Sequence, residues 1–395
     1  MEKKQFPLAQ IQKLLALQDV DGWLLYDFRC HNTIAIEFLN IDPELLLSRR
    51  FFYWIPKSGT PTKIVHKIES EALAHLPGEA ISYESWQSLE DAVNLTLKGQ
   101  KRICMEHSPK GALPVIAKLD AGTYEWLSDK GIAVVSSWPI VQHFIAHWTD
   151  TQAEDHRQAS KLLIDAYRGT WELIKESFTE KRALSELDLQ QHILDFFTKE
   201  QLRACHPPIV AMGCNSALPH YAPTKTAITP DSLLLIDLWA KKSTPFAPYA
   251  DITQVAYLGK KPPAQMTEVY GLVLKAQDAA IDYLQKKVQS GQEVMGFELD
   301  DVCRSVIRQG GYADQFVHRT GHNIHTDLHG PGPNIDNFET HDTRPLMPRT
   351  CYSIEPGIYL PGLFGIRLEC NIFIKEDNTV EVTGKSLPNL PCISN

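Results

Sequence analysis

Hydrophobic and polar positions change rhythm along this chain. Runs rich in β-branched and aromatic residues at 22–28, 51–55, 63–68, 102–105 and 133–136 are short and strand-like. Between them, 88–97 and 113–130 carry apolar residues at helical spacing. This part reads as an α/β unit. A polar stretch, Trp148-Thr-Asp-Thr-Gln-Ala-Glu154, marks a boundary near residue 150, and Thr149, Asp150 or Thr151 can cap the long helix that follows. That helix bears a stripe of Leu162, Leu163, Ala166, Tyr167, Trp171, Ile174 and Phe178. A second helix is expected from Ser185, its candidate cap, to about Glu200, with strands at 208–212 and 233–238 after it. The rhythm then repeats: helices at 264–287 and 297–308, strands at 351–354, 365–368, 371–374 and 379–382. The order helix, helix, strands thus occurs twice, over 153–258 and 264–383, without a residue-level repeat. Two such halves would face each other across a pseudo-twofold axis, with a cleft between them as the natural place for a site.

A chain of 395 residues exceeds one compact core and predicts two domains, 1–150 and 151–395. Composition is that of an ordinary globular protein, 43% hydrophobic and 22% charged. A net charge of −9 without any basic block argues against nucleic acid or an anionic membrane as partner. No stretch is apolar enough to span a bilayer, and Met-Glu-Lys-Lys-Gln-Phe-Pro lacks the apolar core of a signal peptide. The eight cysteines are scattered without a Cys-x-x-Cys pair, as expected of reduced thiols in a cytoplasmic protein, and a cysteine-based zinc site is disfavoured. Cys30-His31-Asn32 forms a polar patch whose histidine reads as a loop or partner-contact residue.

Candidate chemistry lies in the second part. Asp237 follows the apolar run Leu-Leu-Leu-Ile, where a carboxylate is costly to bury without a cation or hydrogen bonds; alone, it reads equally well as a strand-end residue capping a turn. Asp251 opens another strand-like run, and the intervening 241–249 resembles a hairpin loop, which would bring the two carboxylates together. Adjacent carboxylates repel unless one is protonated or a cation sits between them. The run His318-Arg-Thr-Gly-His322-Asn-Ile-His325-Thr-Asp-Leu-His329 has a helical spacing of imidazoles, but Gly321, Gly330, Gly332, Pro331 and Pro333 argue for an extended, looping segment. Such a segment would send the rings in different directions, with one as a candidate metal ligand and others as candidate substrate contacts. Glu355 precedes Pro-Gly and sits where a strand turns. Period-two alternation puts Arg367, Glu369 and Asn371 on one strand face, for which a solvent-exposed Arg–Glu pair is the plain explanation. Together, four carboxylates and an imidazole at strand ends make an oxygen-rich set suited to Mn²⁺, Co²⁺, Fe²⁺ or Zn²⁺.

With these residues assembled, the chain resembles the pita-bread metallopeptidases: aminopeptidase P, prolidase and methionine aminopeptidase, with creatinase as a metal-free relative. The resemblance is strong over about 150–385. The first 150 residues more weakly resemble the N-terminal domain shared by aminopeptidase P, prolidase and creatinase. It implies an α+β chain whose C-terminal pita-bread fold follows an α/β domain. It also implies two divalent cations, Mn²⁺ first and Co²⁺, Zn²⁺ or Fe²⁺ as alternatives. Asp237 would chelate one ion, Asp251 and Glu369 would bridge, and His322 with Glu355 would bind the other. A hydroxide bridging the metals would attack the scissile carbonyl, with Glu355 taking the proton and passing it on. His220, in Leu-Pro-His-Tyr, matches a substrate-contacting histidine; His329 matches the imidazole that steadies the tetrahedral intermediate; His318 matches a further pocket histidine. Arg367 matches a buried arginine that braces the site or meets a substrate carboxylate.

The implied activity is hydrolysis of Xaa-Pro bonds in peptides with proline at the second position, by an aminopeptidase or a dipeptidase, in a homodimer whose N-terminal domain covers a neighbour's site. A creatinase-like hydrolase or lyase and a catalytically inactive peptide-binding module are the alternatives; their relatives usually lack several of the five ligands, all of which stand here. Three departures touch the pocket mouth: a longer gap between Asp237 and Asp251, Trp239 where the family commonly has glycine, and His325 where glycine often follows the metal-binding histidine.

Overall fold

A computed structural model describes residues 6–42 and 45–394. The chain divides into two compact units, Met1–Ile145 and Ala146–Asn395.

The first unit runs α1 (Leu8–Leu17), β1 (Gly22–Asp27), α2 (Thr33–Phe38), β2 (Phe51–Pro56), β3 (Thr62–His66), β4 (Glu79–Tyr83), α3 (Trp86–Thr96), β5 (Arg102–Met105), α4 (Ala121–Asp129), β6 (Ala133–Ser136) and α5 (Trp138–Phe144). Its mixed sheet has the order β4-β3-β2-β1-β5-β6, with β1–β2 and β2–β3 antiparallel and the other pairs parallel. Two apolar clusters form, one centred on Trp23, Leu25 and Tyr53 and the other on Leu24, Phe52 and Ile64, as alternation along the strands requires. The predicted helix at 113–130 is shorter than expected: Pro114 opens a single 3₁₀ turn, and Asp120 caps α4 by accepting from the amide of Thr123. Helices α1, α2 and α5 and strand β4 were not among the expected elements. Asn32 of the polar patch is buried; it caps α2 and donates to Glu106, whose carboxylate also accepts from Trp23 and Ser137. Cys30 and His31 are exposed.

The second unit opens with α6 (Asp150–Glu180), α7 (Glu186–Lys199), β7 (Leu202–Arg203), β8 (Ile209–Met212), β9 (Leu233–Lys242) and β10 (Ala250–Tyr257). The order then recurs as α8 (Ala264–Gln289), α9 (Gly296–Gln309), β11 (Asn323–Ile324), β12 (Thr350–Ile354), β13 (Gly357–Leu360), β14 (Phe364–Arg367), β15 (Cys370–Ile374) and β16 (Val380–Thr383). Thr149 and Ser185 cap α6 and α7 in reciprocal boxes with Gln152 and Asp188. Corresponding helix ends in the two halves take left-handed backbone: Lys181 and Gly291 after the first helix, Gln201 and Gly311 after the second.

Each half supplies one four-stranded antiparallel sheet. In the first, β9 pairs with β10, β8 and β7; in the second the order is β11-β12-β15-β16, and β13–β14 form a separate hairpin. The two sheets meet at β10 and β15. There the Asn371 side chain accepts from the amide of Asp251 (3.0 Å) and donates to its carbonyl (2.6 Å), while the amide of Glu369 donates to the carbonyl of Thr253 (3.1 Å). Helix α8 pins the strand ends from behind: the buried Gln277 amide donates to the carbonyls of Ile354 (3.0 Å) and Leu368 (2.9 Å), each one residue before a candidate ligand.

Gln277→Leu keeps the volume but strands those two carbonyls in a dry interior, at a cost of about 2 kcal/mol. The expected result is a fall of about 4–8 °C in the melting temperature of this unit. A shift under about 1 °C would mean that Gln277 does not anchor the two strand ends.

Candidate metal centre

The hairpin expected between Asp237 and Asp251 is present. Antiparallel register sets Asp237 opposite Thr253 and Asp251 opposite Trp239, so both carboxylates share one face with Thr253. Both are buried, at 7% and 4% exposure. From the other half come His322, at 2%, and Glu369, at 2%. Ligand atoms of Asp251, His322 and Glu369 lie within 4.8 Å of one another. Glu355, at the end of β12, reaches to 3.5 Å from His322 Nε2, and Asp251 to 3.4 Å. Asp237 stands on the flank, with one oxygen held by Arg367 at 2.6 Å.

The histidine segment corrects one expectation. Its rings do not all diverge: those of His322 and His329 meet edge to face with centroids 4.2 Å apart. The cause is Asn323, around which the chain curls. Its carbonyl accepts from the amide of Gly330 (2.7 Å), its side-chain oxygen accepts from Gly332 (2.9 Å), and its amide donates to the carbonyl of Cys351 (3.0 Å). A β-carbon at Gly330 or Gly332 would lie 2.3 or 2.6 Å from the Asn323 side chain, and one at Gly321 would lie 2.0 Å from the carbonyl of Ser353. The glycines that argued against a helix are therefore what lets this ring close.

His318 turns inward, donating from Nδ1 to the carbonyl of Arg319 (2.7 Å) and accepting at Nε2 from Tyr359 (2.8 Å). His325 is buried, with Nδ1 3.1 Å from Thr326 Oγ1. His220 is exposed, close enough for its charge to depress both His318 and His329. Arg367 does not form a solvent-facing pair with Glu369. Its guanidinium is buried and donates to Asp237 (2.6 Å), Thr253 (3.2 Å), Tyr359 (2.9 Å) and the carbonyl of Pro219 (3.3 Å). Thr253, Tyr359 and Gln277 carried no chemical signature in the sequence; Asn371 did, through its alternation with Glu369.

The electrostatics are those of too many anions in too little water. Asp251 is pushed well above the usual carboxylate range by burial and by the charges of Asp237 and Glu355, and Glu369 by burial and by Asp251, Glu355 and Asp237. Glu355 is pushed up to about 7, mainly by burial, against the pull of Arg367 and Arg319. Burial, followed by the neighbouring His329 and Arg319, holds His322 well below the usual imidazole value. Its ring is therefore neutral. Its Nδ1–H donates to the carbonyl of Asn323 (3.1 Å), which leaves the Nε2 lone pair facing two carboxylates. Burial, Arg319 and His220 hold His329 down to about 4, although the residue keeps contact with solvent.

These residues fit divalent cations. One oxygen of Asp237 and one of Glu369 are buried without a hydrogen-bond partner. A neutral imidazole offers its lone pair toward carboxylate oxygens, a clash that a proton or a cation must relieve. Oxygen donors with one imidazole suit Mn²⁺, Co²⁺, Zn²⁺ or Fe²⁺. Thr253, donating to the other Glu369 oxygen (2.8 Å), and Ser353, donating to Glu355 (3.1 Å), fix the carboxylates from outside.

The model of metallopeptidase family M24 matches residues 154–376, more than half of the chain and a span that includes these five positions. The chain belongs to metallopeptidase family M24. Its sequence is 31% identical over 254 residues to a Xaa-Pro dipeptidase of Lactobacillus delbrueckii subsp. lactis, a match covering 63% of this chain and 64% of that protein. The chain thus aligns with somewhat under two thirds of that relative's length. Among solved structures, dipeptidase PepE from Mycobacterium ulcerans superposes with a TM-score of 0.77 at 19% identity, over 98% of this chain and 97% of that one. X-Pro aminopeptidase from Thermotoga maritima superposes with a TM-score of 0.68 at 22% identity, over 98% and 99%. At such identities the likeness establishes the fold, the α+β pita-bread architecture preceded by an N-terminal α/β unit.

Protons and cations compete for the same M24 oxygens, which fixes a sign. Asp251, Glu355 and Glu369 keep their protons to higher pH in the folded chain than in the unfolded one. Their contribution to the stability of cation-free protein therefore falls as pH rises, for Glu355 between about 4.5 and about 7. The buried histidines act in the opposite sense below about 6.5, so the informative quantity is a difference. The rise in melting temperature given by saturating Mn²⁺ is expected to be greatest near pH 8 and to shrink steadily toward pH 5. A rise independent of pH over that range would place the cation elsewhere.

Proposed function

We propose that this protein is a metal-dependent exopeptidase that hydrolyses Xaa-Pro bonds, with two divalent cations, Mn²⁺ first, held by Asp237, Asp251, His322, Glu355 and Glu369. The observation that carries this reading is the buried meeting of Asp251, His322 and Glu369 from separate segments, with two carboxylate oxygens left without partners. The proline preference is supported by the relatives, a Xaa-Pro dipeptidase among them.

When bound, the cations supply Lewis acidity toward the scissile carbonyl and acidify water at the centre. The chain's own residues do the rest. Glu355, at the edge of the cluster beside His322, is placed to take a proton at its carboxylate and return it to the departing amine. His329 stands beside His322 and is exposed, so it is placed to donate to an oxygen that gains charge on the substrate. His220 presents an exposed imidazole at the same rim, where it would contact the peptide. His318 steadies the wall through Tyr359, and Arg367 holds Asp237 in place while linking to Tyr359 and Pro219.

A panel of Xaa-Pro dipeptides, Xaa-Pro-Yaa peptides and proline-free controls, assayed after chelation and re-addition of Mn²⁺, Co²⁺ or Zn²⁺, tests the proposal. Cleavage after the first residue of proline-containing members is expected, and only with added cation. Asp251→Ala and Glu369→Ala should each lower kcat/KM by about 100-fold or more while the far-ultraviolet spectrum is unchanged. Full activity after chelation would point to creatinase-like chemistry, and equal rates in mutant and parent would remove the cluster from the reaction.

A further inference from the structure

Glu186 lies outside the cluster, and no step above uses it. It is the first residue of α7, and its side chain is wholly buried. One carboxylate oxygen accepts from the amide of Met212 (2.8 Å) and from Asn215 Nδ2 (2.9 Å). The other accepts from Tyr221 Oη (2.8 Å), the amide of Thr224 (3.0 Å) and Thr224 Oγ1 (3.3 Å). These donors come from both ends of one segment, 212–224, and that segment carries His220. The backbone of α7 adds to the hold: the amides of Glu186 and Leu187 donate to the carbonyls of Thr226 (3.0 Å) and Thr224 (3.2 Å). At the segment's far side, the amide of Gly365 donates to Ser216 Oγ (2.8 Å), and Arg367 donates to the carbonyl of Pro219, immediately before His220. His220 thus stands on a loop slung between one buried carboxylate and the strand that bears Arg367.

The other half has a counterpart. Asp300, buried in α9, accepts from the amide and hydroxyl of Thr320 (2.9 and 2.6 Å), the amide of Asn337 (3.1 Å) and Arg304 (3.0 Å). Arg304 in turn donates to the carbonyls of Phe316 (3.1 Å) and His318 (2.8 Å). One buried acid on the second helix of each half therefore grips the histidine-bearing segment of that half. The segments differ in what they carry: His220 alone in the first, and His318, His322, His325 and His329 in the second.

We infer that Glu186 is a positioning residue for the substrate. By closing segment 212–224 it sets where the His220 imidazole stands, and it does so without touching the groups that hold the cations. The inference rests on the peptidase reading for its substrate and on the hydrogen bonds alone for its mechanism.

Glu186→Gln tests it, because an amide puts two N–H bonds among donors that need an acceptor. Three quantities are read on the full-length protein: amide hydrogen exchange across 212–226, Mn²⁺ affinity by calorimetry, and KM and kcat on a Xaa-Pro peptide. The expected result is exchange in that segment faster by about tenfold and KM higher by about tenfold, with Mn²⁺ affinity and kcat within about threefold of the parent. Glu186→Asp, which restores a carboxylate, should recover part of the lost KM. Unchanged exchange and KM would overturn the assignment. So would an Mn²⁺ affinity that falls in step with KM, since that would make Glu186 a support of the ion site. If Glu186→Gln does not fold, Asn215→Ala removes one donor of the same network and should show the same pattern more weakly; parent-like exchange and KM there would overturn the assignment equally. A parent that cleaves no Xaa-Pro peptide with any cation would end the peptidase reading, while the exchange measurement still decides the clamp.

Discussion

Mutual repulsion among buried carboxylates governs this molecule. Burial first, and then the charges of their carboxylate neighbours, Asp237 included, raise the affinity of Asp251, Glu355 and Glu369 for protons. Such a group is stable only with positive charge inside it. Arg367 provides some, with its direct hydrogen bond going to Asp237. Protons supply the remainder in the cation-free chain, and divalent cations replace them. The neutral His322, with its lone pair directed inward, belongs to the same arrangement, since a charged ring there would lose its role as a donor.

The pseudo-twofold fold makes this concentration of charge affordable. Neither half could assemble it alone: Asp237 and Asp251 lie on the hairpin of the first sheet, and His322, Glu355 and Glu369 lie around the second. The seam between sheets is held by side chains as well as backbone, with Asn371 spanning to Asp251 and Gln277 gripping both strand ends from α8. Each connection carries a carboxylate to the seam at a fixed height. The site is thus a property of the interface between halves, which no local segment encodes.

This explains what the amino-acid sequence disclosed. The long helices were legible because an apolar stripe with a Thr149 or Ser185 cap is a local signal. Strand runs in the second unit were legible for a similar reason, and Asp237 and Asp251 could be paired through the hairpin between them. Short elements such as α2 and β4 were not, since a few residues rarely complete a period. The ring around Asn323 was misjudged because glycines and prolines announce that a helix is absent without saying what replaces it. Alternation put Arg367 and Glu369 on one face but is silent on which side faces water, so it left a solvent-facing pair open as the plain explanation; both side chains are buried. Thr253, Tyr359, Gln277 and Glu186 matter only through partners far along the chain, so spacing gave no access to them.

The closed ring about Asn323 carries an evolutionary consequence. With only six residues separating His322 from His329 and the enclosed turn tied to one asparagine, an insertion there would swing an imidazole out of place. The tip of the β9–β10 hairpin is free of that constraint: residues 243–246 are exposed and bear none of the five ligands. Change in chain length should therefore accumulate at the hairpin tip and be purged from the ring, leaving the tip as the part of this scaffold most open to diversification.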